Sequence, residues 1–224
     1  DTVNRGIWGF FLIAVGAILA WAVSVETNGI DLNMVGVILM IVGILGAVAQ
    51  SEIKRMLSFT LVSHIGYMVF GVALATTAGL AGAIFYVVHH ITIQTTLFLV
   101  AGLVERRGGS TSLNRLGGLA TASPILGVLF FVPAMNLGGI PPFSGFLGKA
   151  GLLQAGVAAD RPLAYLLVAG GVVTSLLTLY AVAKAWNLAF WRAAPAEILE
   201  PAGTAPRGSA DEPGPPPATP VALP

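Results

Sequence analysis

Residues 124–157, PILGVLFFVPAMNLGGIPPFSGFLGKAGLLQAGV, decide how this chain is organised. Almost everything in the stretch is apolar, and its length exceeds one membrane-spanning helix, which needs about 20 residues. Its centre, Gly138-Gly139-Ile140-Pro141-Pro142, cannot continue a helix, because each proline lacks a backbone donor and clashes with the preceding turn. The segment is therefore either two short helices that cross twice or one broken helix that crosses once. It also holds a single charge, Lys149, seven residues beyond Pro142.

The flanking sequence has the same character. Ile7 to Val25 carries no charge and is long enough to cross roughly 30 Å of hydrocarbon. A polar turn, Glu26 to Asp31, separates it from a second span over 34–50, so residues 1–50 read as a two-helix hairpin. Residues 57–75 and 80–104 make two more spans, and Pro162 to Trp186 the last. The fold expected is all-α, a polytopic transmembrane bundle of about six spans with one broken helix. Residues 51–192 form its main domain, and 193–224, rich in proline and alanine, a disordered tail.

Composition points the same way. Of 224 residues 56% are hydrophobic and 9% charged, with mean hydropathy +0.87. A soluble domain of this size could not hide that much apolar surface. A net charge of +1 gives no electrostatic footprint for nucleic acid. The chain has no cysteine, which excludes disulfides and thiolate metal sites, and three histidines are too few for a metal cage. No cleavable signal peptide is recognised at the start. No nucleophile–base pair, phosphate-binding loop or zinc spacing is present, so neither an enzyme nor a cofactor is expected. Scattered glycines suit close helix contacts.

Charge bias orients the bundle. The basic loops at Lys54-Arg55 and at Arg106, Arg107 and Arg115 lie on one side if two spans separate them, and that side is expected to be cytoplasmic. A single crossing of 124–157 then brings Lys184, Arg192 and Arg207 to the same side and is preferred. Both termini would be cytoplasmic, and the protein a multi-pass component of the plasma membrane. Glu105 to Leu116 reads as a solvated loop, and Ser51 to Arg55 as a topological anchor.

Three groups of residues stand out as candidate chemistry. Lys149 is costly in a bilayer, by about 3 kcal/mol on insertion scales, so it either faces a water-filled path or snorkels to the interface. His89 and His90 begin a polar stripe in which His90 shares a helical face with Gln94, and His89 with Thr92 and Thr96. The stripe suits a proton relay, or only interhelical hydrogen bonds. His64, with Ser63 and Tyr67 beside it, reads first as a packing residue with a supporting role.

Several ordered motifs add a family resemblance. Ser51-Glu52-Ile53-Lys54-Arg55-Met56-Leu57-Ser58-Phe59 with Ser63-His64-Ile65-Gly66-Tyr67-Met68 resembles the proton-conducting, antiporter-like membrane subunits. These occur in Mrp-type multisubunit Na+/H+ antiporters and in respiratory complex I. Phe85 to His90, Thr96 to Leu99, and Gly139-Ile140-Pro141-Pro142-Phe143-Ser144-Gly145-Phe146 look most like the D-type subunits of the Mrp antiporters. The resemblance covers about residues 35 to 192 and implies inverted five-helix repeats, each with a broken helix, and a hydrophilic axis of buried lysines and histidines. Lys149 matches the lysine after the break, and His89 and His90 the helix that links the axis. Gln94 stands where the family pattern has a lysine. The first repeat is not matched, and residues 1–49 look more like small two-helix membrane proteins. What the resemblance implies is a membrane subunit of a monovalent cation/proton antiporter, working with other membrane subunits in the lipid bilayer and moving protons and monovalent cations. The alternatives are a pumping subunit of a quinone-linked dehydrogenase and a structural relic that transports nothing.

Overall fold

The computed structural model describes residues 31–193, and several of its helices can be traced to a local signal. The expected first span, Ile7 to Val25, and the tail beyond residue 193 lie outside the described residues. Helix α1, Leu32–Ala49, starts where the Asp31 carboxylate accepts the Asn33 amide at 2.9 Å. Helix α2, Ile53–Ala73, is followed by α3, Thr77–Gly108, capped by the Thr76 hydroxyl at the Gly79 amide (3.0 Å). At 32 residues α3 is about 48 Å long, more than the hydrocarbon thickness, and it ends on left-handed Gly109 with Arg106 and Arg107 in its last turn.

A short turn of helix, α4 (Leu119–Ala122), leads to α5, Pro124–Gly138, which opens on the proline that a first helical turn tolerates. Helix α6, Ser144–Ala158, follows the break, and α7, Pro162–Trp186, ends in a π-helical turn, Asn187–Trp191. The observed α7 has the bounds read from sequence. Four of the helices, with α7 counted together with its π-helical turn, are long and apolar enough to cross a membrane.

Helices α5 and α6, at 15 residues each, are too short to span alone, and contacts at the two ends show that they cross once, together. At one end the 51–55 and 105–116 segments pair. Ile53 donates to Thr111 O (3.0 Å), Leu113 to Ser51 O (2.7 Å), and Lys54 forms an ion pair with Glu105. Lys184 reaches Val48 O and Gln50 O, and Arg192 binds the carbonyls of Leu113, Asn114 and Leu116, so α7 finishes at this same end. At the other end Arg161, just before α7, donates to Leu74 O (2.6 Å), just after α2. Arg207 lies outside the described residues. The segment expected as a solvated loop differs from that reading. Helix α3 runs on through Gly108, and Leu113 and Leu116 are buried.

Close approach between helices relies on missing side chains. A Cβ on Gly43 would collide with the Ser63 backbone, and one on Gly66 would fall 2.6 Å from Met40 N. Helix α1 thereby lies tightly against α2, and Ser63 ties them with a hydrogen bond to Met40 O (2.8 Å).

The core is layered. Near the charged end lies an apolar cluster with Ile44, Leu57, Leu97, Phe130 and Val182. Toward the opposite end lies a second, with Met40, Tyr67, Phe70, Leu152 and Leu167. Between them, in register on successive helices, are the buried polar residues Thr60, Ser63 and His64 of α2, His89, His90 and Gln94 of α3, Asn136 and Lys149 of α5 and α6, and Thr174 and Thr178 of α7.

Candidate functional site

The polar layer is built around the helix break. Helix α5 ends with Gly139 at φ +82°, its amide bonded to Met135 O and Asn136 O at 3.1 Å. Only glycine takes this left-handed turn readily. A Cβ at Gly139 would also stand 3.0 Å from Lys149 Cδ. The turn leaves the last carbonyls of α5 without amide partners from the next helical turn, and the negative end of a helix dipole points where they do. Lys149, 4% exposed, fills that position. Its Nζ donates to Leu137 O (2.9 Å) and Gly138 O (3.3 Å) and lies 5.6 Å from the centre of the Tyr67 ring. The ammonium is held by carbonyl dipoles and an aromatic face rather than by a carboxylate, an arrangement that lowers the cost of its burial.

Across the break, Asn136 serves the start of α6. Its Oδ1 accepts the Gly145 amide (2.8 Å) and the Ser144 hydroxyl (3.4 Å). A Cβ on Gly145 would collide with Asn136 O, so glycine is required there by contact. Ser144 in turn meets His89 Nδ1 at 3.0 Å. If Ser144 gives its proton to Asn136, His89 donates from Nδ1 and its Nε2 is a bare acceptor; if Ser144 gives it to His89, the proton of the ring lies on Nε2. Pro141 and Pro142 lie exposed on the outer side of the break.

His64 and His90 meet through Nδ1 atoms 3.2 Å apart, their ring centres separated by 4.9 Å. Two identical atoms can share a hydrogen bond only if one carries the proton, so two neutral rings must hold opposite tautomers. Thr178 sets which. Its one hydroxyl proton goes to Thr174 O (2.7 Å), so His64 Nε2, 3.4 Å from Thr178 Oγ1, is the donor there. His64 Nδ1 is then the acceptor and His90 Nδ1 the donor. Tyr86 packs against all three imidazoles, 5.9 Å from His64, 5.6 Å from His89 and 6.2 Å from His90, centre to centre. Tyr67, 5.5 Å from the Tyr86 ring, donates to Gly171 O and stands beside Ser175.

Four buried polar atoms along α3 have no partner among the described residues: Tyr86 Oη, His89 Nε2, His90 Nε2 and Gln94 Oε1. Residues 86, 90 and 94 repeat every four positions, so they line one face at intervals of about 6 Å. Gln94 is anchored by its Nε2 on Leu57 O (2.6 Å). The arrangement can hold a proton at Lys149 or on an imidazole and leaves buried polar atoms unmatched along α3. Among the described residues no three His, Cys, Asp or Glu side chains gather as a metal site would require.

The layer therefore brings together Lys149, His89, His90, Gln94 and His64. Of the residues read as supporting, Ser63 faces α1 instead, and Thr92 is exposed with its hydroxyl on Val88 O (3.1 Å). Sequence reasoning missed Tyr86, Asn136, Thr174 and Thr178. The four-residue spacing of the two threonines was a visible signal, as was a lone asparagine just ahead of the break.

Residues 7–178 match the family described as NADH:quinone oxidoreductase/Mrp antiporter, transmembrane. That range begins well inside the stretch that the sequence reading set apart as a separate hairpin. The chain is 42% identical over 152 residues to the D-type Na+/H+ antiporter subunit of Alkalihalophilus pseudofirmus, which is 68% of this chain and 30% of the relative. Among solved structures it is similar to a chain of the Mrp complex from Dietzia sp. DQ12-45-1b, at 42% identity and a TM-score of 0.67, covering 71% of this chain and 29% of that one. A chain of respiratory complex I from Thermus thermophilus shares the fold, with a TM-score of 0.67 at 24% identity over 83% of this chain and 36% of that one. The chain thus spans about 30% of the length of the curated relative it matches. On the family match and the antiporter-subunit relatives together, this multi-pass membrane protein belongs to the NADH:quinone oxidoreductase/Mrp antiporter transmembrane family.

Proposed function

We propose that the chain is a membrane subunit of a monovalent cation/proton antiporter and contributes part of its proton path. The observation that carries this reading is Lys149. An ammonium in a membrane-spanning bundle costs about 3 kcal/mol on insertion scales, the carbonyls of the broken helix offset part of that, and such a charge is kept where it has a use. In this reading Lys149 takes up and releases a proton. His89 and His90 exchange it through water along the acceptor face of α3, with His64 paired to His90. Gln94 cannot carry a proton as a charge, so its amide orients water through Oε1. The curated relative that is 42% identical is by its name an antiporter subunit, the 42% identical solved chain comes from a Mrp complex, and this chain is expected to act among other membrane subunits. The end carrying Lys54, Arg55, Arg106, Arg107, Arg115, Lys184 and Arg192 faces the cytoplasm of the cell.

The test is cation-induced dequenching of a pH-sensitive dye in everted vesicles, with this chain replacing the D-type subunit among the other antiporter subunits. Cation-dependent proton movement above vesicles lacking any such subunit is expected. Lys149→Ala should abolish it while the protein remains folded and assembled. Full activity in Lys149→Ala would remove the lysine from the path. No activity in the assembled parent would favour a relic that only packs.

A further inference from the structure

The charged end of the bundle uses most of its cations internally. Lys54 pairs with Glu105 and Arg55 with Glu52, while Lys184 and Arg192 bind carbonyl oxygens. Arg106, Arg107 and Arg115 are different: all three are exposed and none has a carboxylate or carbonyl partner for its side chain among the described residues, and of the three only Arg106 and Arg107 lie side by side on one cleft. The nearest acid in sequence, Glu105, is taken by Lys54. The two arginines line a cleft of about 420 Å³ between the last turn of α3 and the first turn of α5. Ser123 is on its wall and makes no side-chain cap to α5, and the first-turn amides of a helix have no intrahelical acceptor. The remaining wall is aliphatic and faces outward: Ile125 is 75% exposed, and Leu103 and Leu129 are each 44% exposed.

Unneutralised cations above an outward-facing aliphatic wall, at the end of a transmembrane bundle, match one kind of molecule. We propose that this cleft is a binding site for an anionic phospholipid, its phosphate against Arg106, Arg107 and Ser123 and its upper acyl chains along Leu103, Ile125 and Leu129. A soluble anion would satisfy the arginines and leave the aliphatic wall uncovered. A zwitterionic lipid would bring its own cation beside two arginines. Basic pockets between helices at this level of a membrane bind acidic headgroups for the same reason. The inference depends on the chain spanning a bilayer and not on what it transports.

The experiment uses the full-length chain in mixed micelles with equal phosphatidylglycerol and phosphatidylcholine, and native mass spectrometry to count the lipid that stays bound. Retention of one phosphatidylglycerol in preference to phosphatidylcholine is expected. The preference should fall roughly fivefold for each arginine removed in Arg106→Gln and Arg107→Gln. The double lysine substitution should keep most of it, and Arg115→Gln, an exposed cation outside the cleft, should change nothing. Circular dichroism verifies that the variants remain helical. Equal retention of the two lipids by the parent would overturn the proposal. So would an equal loss in Arg115→Gln, which would mean surface charge without a site. Displacement by excess inorganic phosphate would overturn it too, making the site one for free anions. A photocrosslinker at Ile125 should capture phospholipid in membranes holding the assembled complex, and capture of a protein chain instead would also overturn the proposal.

Discussion

Replacing Gly139 by alanine tests the geometry of the break. At φ +82° an alanine costs roughly 1–2 kcal/mol for its left-handed backbone alone. Its Cβ would also arrive 3.0 Å from Lys149 Cδ and 3.5 Å from Nζ. Relieving that contact moves an ammonium whose bonds to Leu137 O and Gly138 O are 2.9 and 3.3 Å, and the longer of these has little length to spare. Losing one charge-assisted hydrogen bond is worth about 1.5–3 kcal/mol. The sum is roughly 2.5–5 kcal/mol of lost stability, readable as equilibrium unfolding in mixed detergent micelles. A double-mutant cycle separates the two causes. In a Lys149→Ala background the contact is gone, so Gly139→Ala should cost only the backbone share of about 1–2 kcal/mol. Gly138→Ala is the control, since its Cβ comes nearest to the movable Leu179 side chain at 3.3 Å, meets Leu179 Cα at an ordinary 3.7 Å, and the residue is helical. If Gly139→Ala costs no more than Gly138→Ala, or the same with and without Lys149, the reasoning that the glycine makes room for the lysine is refuted.

Other consequences are as direct. With three histidines in the chain, nitrogen-15 spectra of ring-labelled protein in lipid should show six ring nitrogens, with the proton on Nε2 of His64 and on Nδ1 of His90. Thr178→Val should perturb His64 while leaving His89 unmoved, and a proton found on His64 Nδ1 in the parent would contradict the assignment. Gly43→Ala should separate α1 from α2 at a cost above about 2 kcal/mol in the same unfolding assay, because the added methyl meets Ser63 backbone. Ser63→Ala should cost about 1 kcal/mol through its lost bond to Met40 O and leave the histidine spectrum intact.

Local features of the chain were legible because they have local causes. Pro162 starts α7, and Pro141 with Pro142 ends any helix that reaches them, whatever surrounds the segment. The charged stretches at 51–55 and 105–116 marked one end of the bundle because ions avoid hydrocarbon wherever they occur. Lys149 was conspicuous for the same reason. These effects fix where the helix at 124–157 breaks, where α7 begins and the isolated charge, but not the far end of α3, which runs on through Gly108.

What the sequence left open is lateral. Helices that are apolar all round carry no stripe to say which face meets which neighbour, since lipid and protein interior are equally acceptable to leucine. Hence His64, read as a packing residue, came to lie against His90, 26 positions away, and Thr178, 114 positions away, came to hold its other nitrogen. Thr92, on the same helix as His89, faces outward. Whether residues 124–157 cross once or twice was likewise a question of which ends meet, answered by Arg161 at Leu74 and Arg192 at Leu113. The sequence by itself determined a helical membrane protein with a broken helix and a costly lysine. Tertiary structure alone decided what that lysine and the histidines touch, because shape fit at Gly43, Gly66 and Gly145, and not hydrophobicity, selects helix partners in a bilayer.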